Sequence, residues 1–348
     1  MASPYTRTAR RALVTGAALG VAVAASRTPA GRRLLRSPSL VDLEAPIPPP
    51  LPQARVVALP GRGEVFVRDS GADEGTGNDE LPVLLLHGWT ATADINFFAA
   101  YEPLARDRRV LAIDHRGHGR GLRSEQHFTL EDCADDAAAL LDELGIERVI
   151  ALGYSMGGPI AMLLARRHPR RVAGLVVQAT ALEWSARWEE RARWRGLSVM
   201  ELSMRLGTGE SMVARVLRQT TQRRPDLLPL RAWLASEFRR GDPKAITDAG
   251  RALARYDARP WGTSLGVPAA AVVTTHDKLV PVHKQRVLAE ALGAQVFELA
   301  ADHDAPLLHD ASYGAITQEA VSAVAASVRS GTGSGGRGGL RRVAGDHA

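Results

Sequence analysis

The 348-residue chain is 45% hydrophobic and 24% charged, with a formal net charge of +6. These values fit a globular protein with a large buried core and exclude a collagenous or wholly disordered chain. Arginines are scattered among acids with no basic run interleaved with aromatics, which argues against a nucleic-acid partner. The single cysteine, Cys133, excludes an intrachain disulfide, and no Cys/His cluster has zinc spacing.

Residues 1–53 read as a leader. Residues 12–25 (ALVTGAALGVAVAA) are uncharged and mostly apolar, with Arg7, Arg10 and Arg11 before them and Arg27, Arg32, Arg33 and Arg36 after. The pattern suits a signal peptide or a weak membrane anchor. It is shorter than the ~20 apolar residues that span a bilayer, and the competing reading is a poorly ordered Ala/Arg leader on a cytoplasmic protein. Residues 42–53 are proline-rich and read as an extended spacer.

Residues 54–60 and 64–70, separated by Gly61-Arg62-Gly63, predict an edge hairpin. Four runs then follow that are apolar throughout: 82–88, 109–114, 148–155 and 172–180. Continuous hydrophobicity predicts strands covered on both faces, as in a parallel sheet. Between them, Phe97–Asp107, Leu130–Leu144 and Gly157–His168 carry apolar residues at helical spacing. In the second, Cys133, Ala137, Leu140, Leu141 and Leu144 share one face. Residues 54–182 thus form the first part of an α/β core. Residues 183–262 are helical in pattern and hold five of the six tryptophans. The core resumes over 263–329 with strands at 269–277 and 295–300 and a final helix at about 312–329. The glycine-rich residues 330–348 predict a disordered tail.

The most informative stretch is Gly153-Tyr154-Ser155-Met156-Gly157, a G-x-S-x-G pattern set between a buried strand and a helix. A serine on such a turn projects its hydroxyl from the C-terminal edge of the sheet. It needs a base, and the base needs an orienter. Around such a turn the chain order is nucleophile, acid, histidine. Asp277 ends one later strand and His303 follows the next, which makes them the candidate acid and base. His309, Asp302 and Asp304 are the competing candidates; His276 points to the opposite face. An oxyanion would be met by the backbone N–H of Met156 at the helix start and by that of Trp89, in the loop His87-Gly88-Trp89. His87 itself reads as structural.

These motifs resemble the α/β-hydrolase superfamily, in the group with His-Gly-x after the third strand. The resemblance covers residues 54–328 and rests on PVLLLHGWT, AIDHRGHGRG, VIALGYSMGGPIA, TTHDKLVP and AADHDAPLLH in that order. It implies an α/β-hydrolase fold with a mostly parallel sheet flanked by helices, with Ser155, Asp277 and His303 as triad and Trp89 and Met156 as oxyanion donors. Asp302 stands where the family often has glycine. The resemblance further implies that 183–262 form a helical lid over the serine, with no metal or organic cofactor. Phe97, Phe98, Tyr154 and Trp184 are the candidate substrate-binding residues. Arg187, Arg191, Arg193 and Arg195 crowd one insertion helix and suit a solvated face partly paired with Glu189 and Glu190. The expected activity is hydrolysis of a small to medium, largely apolar carboxylic ester. The alternatives are C–C bond hydrolysis, cofactor-free haloperoxidase or perhydrolase chemistry, and a non-catalytic binding protein.

Overall fold

The computed structural model describes residues 45–71, 80–186, 188–194, 196–205, 209–331 and 341–342. The apolar segment 12–25 lies outside them. Among the described residues no helix is long and apolar enough to cross a membrane.

The edge hairpin pairs β1 (Gln53–Leu59) with β2 (Gly63–Asp69) in antiparallel register. The remaining strands are β3 (Val83–Leu86), β4 (Val110–Ile113), β5 (Val149–Tyr154), β6 (Val172–Gln178), β7 (Ala269–Thr274) and β8 (Gln295–Leu299). In space the order is β1-β2-β4-β3-β5-β6-β7-β8. From β4 to β8 every pairing is parallel. A two-residue segment, Arg341–Arg342, continues the sheet beside β8; residues 332–340 and 343–348 of the glycine-rich tail lie outside the description.

Strands β3 to β6 are buried at every residue, as their uninterrupted apolar sequences require. Alternation divides them between two cores. Leu84 and Leu86 meet α2 (Leu130–Glu143) and α3 (Gly157–Arg167) on one face. Val83 and Leu85 meet α1 (Ala93–Ala105) and the C-terminal helix Asp310–Arg329 on the other. Helix α1 begins four residues before the expected Phe97. Thr92 caps it, its hydroxyl accepting from the Ile95 N–H at 3.2 Å.

Between β6 and β7 the chain forms α4 (Trp188–Trp194), α5 (Leu197–Arg205), α6 (Gly209–Arg223), a 3₁₀ turn, α7 (Arg231–Phe238) and α8 (Pro243–Arg255). This insertion closes at its neck. Glu183 and Asp257 form an antiparallel bridge, and the Ala258 N–H donates to the Leu182 carbonyl at 2.8 Å. After β7 come α9 (Val282–Ala291), β8, the short α10 (Ala305–Leu308) and α11, the C-terminal helix already described.

Candidate active site

Strand β5 ends at Tyr154, and Ser155 turns the chain into α3 with φ of 52°. A non-glycine residue there is strained, and the surroundings hold it. The Ser155 N–H donates to the Gln178 carbonyl at 2.9 Å, and the Ser155 carbonyl accepts from the Gly158 N–H at 2.9 Å. The flanking glycines are sterically required. A Cβ on Gly153 would lie 2.1 Å from the Gly157 carbonyl oxygen, and one on Gly157 would lie 1.8 Å from that of Leu86.

The ends of β7 and β8 bring Asp277 and His303 to this turn. His303 Nδ1 donates to Asp277 Oδ2 at 2.8 Å, and the Ser155 hydroxyl donates to His303 Nε2 at 3.0 Å. A carboxylate can only accept, so the ring proton sits on Nδ1 and leaves Nε2 to the serine. The Asp277 side chain is fully buried yet well supplied with donors. Its Oδ1 accepts from the Leu279 and Val280 N–H groups, both at 2.8 Å. Its Oδ2 also accepts from Thr274 Oγ1 at 2.8 Å and Gln285 Nε2 at 3.2 Å. These bonds fix the orientation of the carboxylate.

Asp302 joins the acid and histidine loops. Its Oδ1 accepts from the His303 N–H at 2.8 Å and the Lys278 N–H at 3.1 Å, and its Oδ2 lies 3.2 Å from Lys278 Nζ. Burial raises its pKa, but these donors outweigh burial and hold it below the usual carboxylate value. The departure from glycine thus supplies a strap. His309 and His276 are exposed and hold neither Ser155 nor Asp277.

Of the expected oxyanion loop, Gly88 lies against the elbow: a Cβ on it would stand 3.2 Å from Ser155 Cβ. Its N–H donates to Asn96 Oδ1 at 2.7 Å. The Trp89 indole donates to the Ile246 carbonyl of α8 at 2.7 Å. Met156 is buried at the N-terminus of α3.

A cleft of about 430 Å³ opens above Ser155 and His303, walled by Trp89, Trp184, Trp194, Leu197 and Leu253. Trp184 lines this cleft. Phe97, Phe98 and Tyr154 do not, and those three expectations are corrected. Phe97 is fully buried in the α1 side of the core. Phe98 packs edge-on against Trp233, at 5.9 Å between centroids. Tyr154 lies on the opposite face of β5, against Tyr313, and its hydroxyl donates to the His303 carbonyl at 2.8 Å. Among the arginines of the insertion, Arg191 donates to the Ser185 and Ala186 carbonyls; the Arg187, Arg193, Arg195 and Glu189 side chains lie outside the description. Glu190 pairs with Lys284 at 2.5 Å, and Lys284 also reaches Glu183 at 2.7 Å. This trio in the cleft wall was missed because it joins positions about a hundred residues apart. Gln285 and Thr274 were missed too, although their place beside Asp277 in the sequence was the signal.

A sequence profile of the alpha/beta hydrolase fold matches residues 82–310. The chain belongs to the α/β-hydrolase fold family. As a member, it is 28% identical over 249 residues to a pimeloyl-[acyl-carrier protein] methyl ester esterase of Neisseria meningitidis, covering 70% of this chain and 77% of that one. It is 35% identical over 105 residues to the dihydrolipoyllysine-residue acetyltransferase component of an acetoin cleaving system from Pseudomonas putida. That match spans 30% of this chain and only 28% of the relative. Among solved structures, the enol-lactonase of Burkholderia xenovorans superposes with a TM-score of 0.66 at 24% identity, covering 77% of this chain and all of that one. This last likeness is one of fold.

Proposed function

We propose that this α/β hydrolase is a serine esterase that cleaves small to medium, largely apolar carboxylic esters through an acyl-enzyme on Ser155. The observation that carries the reading is the hydrogen-bonded series Asp277–His303–Ser155 at the floor of an apolar cleft. In this mechanism Ser155 Oγ attacks the ester carbonyl while His303 Nε2 takes its proton. Asp277 stabilises the imidazolium that forms. The tetrahedral oxyanion is met by the N–H groups of Trp89 and Met156, each contributing about 3 kcal/mol. Collapse expels the alcohol, which receives the proton from His303. Water, activated by the same imidazole, then releases the acid. Indole and leucine walls supply hydrocarbon contact for the acyl or alcohol chain. The methyl ester esterase among the similar proteins supports an ester-type substrate.

A fluorophosphonate probe should label the wild type and leave Ser155→Ala unlabelled. Labelling of both would reject the nucleophile. A series of p-nitrophenyl esters of rising chain length should be turned over with a preference for apolar acyl groups. Probe labelling without turnover of any ester would redirect the reading to C–C bond or perhydrolase chemistry.

A further inference from the structure

His87 is wholly buried and directly precedes the glycine that abuts Ser155. Its Nε2 lies 2.9 Å from the backbone nitrogen of His115, which can only donate. That ring nitrogen therefore carries no proton. Its Nδ1 lies 2.8 Å from the Gly88 carbonyl oxygen, which can only accept. The ring proton is therefore on Nδ1, and both nitrogens are engaged by backbone. Burial lowers the His87 pKa to about 4 against the opposing effect of the Gly88 bond, so the ring is neutral at ordinary pH.

The Gly88 carbonyl and the Trp89 N–H belong to one peptide unit. In a trans peptide the two point in opposite directions within a stiff plane, and no described peptide bond is cis. Whatever fixes the carbonyl therefore fixes the N–H. Twisting that plane by ~12° costs about 1 kcal/mol.

We propose that His87 is a positioning residue for the oxyanion site: by donating Nδ1–H to the Gly88 carbonyl, it aims the Trp89 N–H. The inference rests on the serine-esterase reading above. The preceding peptide unit is fixed separately, through the Gly88 N–H on Asn96. The His87 ring is itself held in place. His115 and His118 pack against it, at 4.3 and 5.5 Å between centroids. Burial also keeps these two rings neutral, pushing His115 well below its ordinary value and His118 down to about 3. No charge thus builds up behind the donor.

Two amide substitutions separate this role from simple core filling. In His87→Asn the side-chain nitrogen falls where Nδ1 was, and the donor to Gly88 is kept. In His87→Gln the amide falls where Nε2 was; it can still accept from His115, but the donor to Gly88 is lost. The expected result is a kcat within ~3-fold of wild type for Asn and a loss of ~30-fold for Gln, with KM within ~2-fold in both. A trifluoromethyl ketone, whose adduct with serine carries the oxyanion, should lose affinity in His87→Gln in parallel with kcat. Equal losses in both variants, or a more active Gln variant, would overturn the proposal. If neither variant folds, nitrogen-15 NMR of the wild-type imidazoles decides: a proton on His87 Nε2 refutes it. A wild type that neither labels nor turns over esters defeats the esterase reading and the inference together. An active wild type with indifferent variants defeats the inference alone.

Discussion

The rim of the sheet and the insertion above it are held in different ways. At the rim, Asp277 is fixed by Thr274, Leu279, Val280 and Gln285, all within eight residues of it in sequence, and much of that hold is backbone N–H. The insertion is seated by side-chain charges from far along the chain. Glu237 on α7, with a fully buried side chain, meets Arg120 and accepts from Thr92 Oγ1 at 3.0 Å. Lys284 on α9 holds Glu183 and Glu190. The carboxylate of the candidate triad is thus held locally, whereas the insertion depends on pairs that single substitutions can remove. The contrast implies that the chemistry tolerates change in the roof better than in the rim.

The largest effect is expected at the rim. Asp277→Asn keeps the shape of the side chain but favours the wrong tautomer of His303, and kcat for ester hydrolysis should fall by ~10⁴-fold. A loss under tenfold would mean that this carefully held carboxylate is not part of the chemistry, and the comparison would fail. Glu237→Ala instead removes one of the three buried carboxylates around Arg120, leaving Asp94 and Asp114 each at 3.5 Å. The lost bonds from Arg120 and Thr92 should lower the unfolding free energy by roughly 2–3 kcal/mol in urea titration. The protein that remains folded should keep probe labelling at Ser155. Loss of labelling at unchanged stability would show that roof and rim are not separable.

Acid should reach the rim first. The folded-state pKa values of His87, His115 and His118 lie below the ordinary 6.5, because burial disfavours their charged forms. As pH falls, the unfolded chain takes up these protons before the folded one does. The stability their neutral forms provide is complete above about pH 7 and declines from 6.5 towards 4, where His87 alone accounts for roughly 3 kcal/mol. Tm measured between pH 7.5 and 4.5 should fall on the acid side, and a flat profile would contradict it. The smallest effect is expected from Tyr154→Phe. It removes one hydrogen bond to the His303 carbonyl, worth about 1 kcal/mol, and should lower kcat about 5-fold with little change in KM.

The sequence made the rim legible for the same local reasons. The uninterrupted apolar runs marked β3 to β6, and the small residues around Ser155 marked a turn that admits no Cβ. Adjacency in sequence misled where periodicity governed. Tyr154 precedes Ser155, so strand alternation sends its ring to the other face. Phe97 and Phe98 adjoin the catalytic turns in sequence, but that nearness does not carry them into the cleft. The cap at Thr92 starts α1 earlier and turns one ring into the core and the other towards Trp233. The seating of the insertion was not legible at all. Nothing near Lys284 in sequence announces Glu183, and nothing near Arg120 announces Glu237.

The neck formed by Glu183 and Asp257 has a consequence for how such a molecule can change. The chain leaves the core and re-enters it side by side, so the two ends of the insertion are clamped together independently of the helices between them. With its ends clamped there, a change of length between them does not by itself shift the register of β6 and β7. Trp184, Trp194, Leu197 and Leu253, which wall the cleft, all lie on this clamped segment, so the shape of the cleft can change while the strands beneath it stay in place.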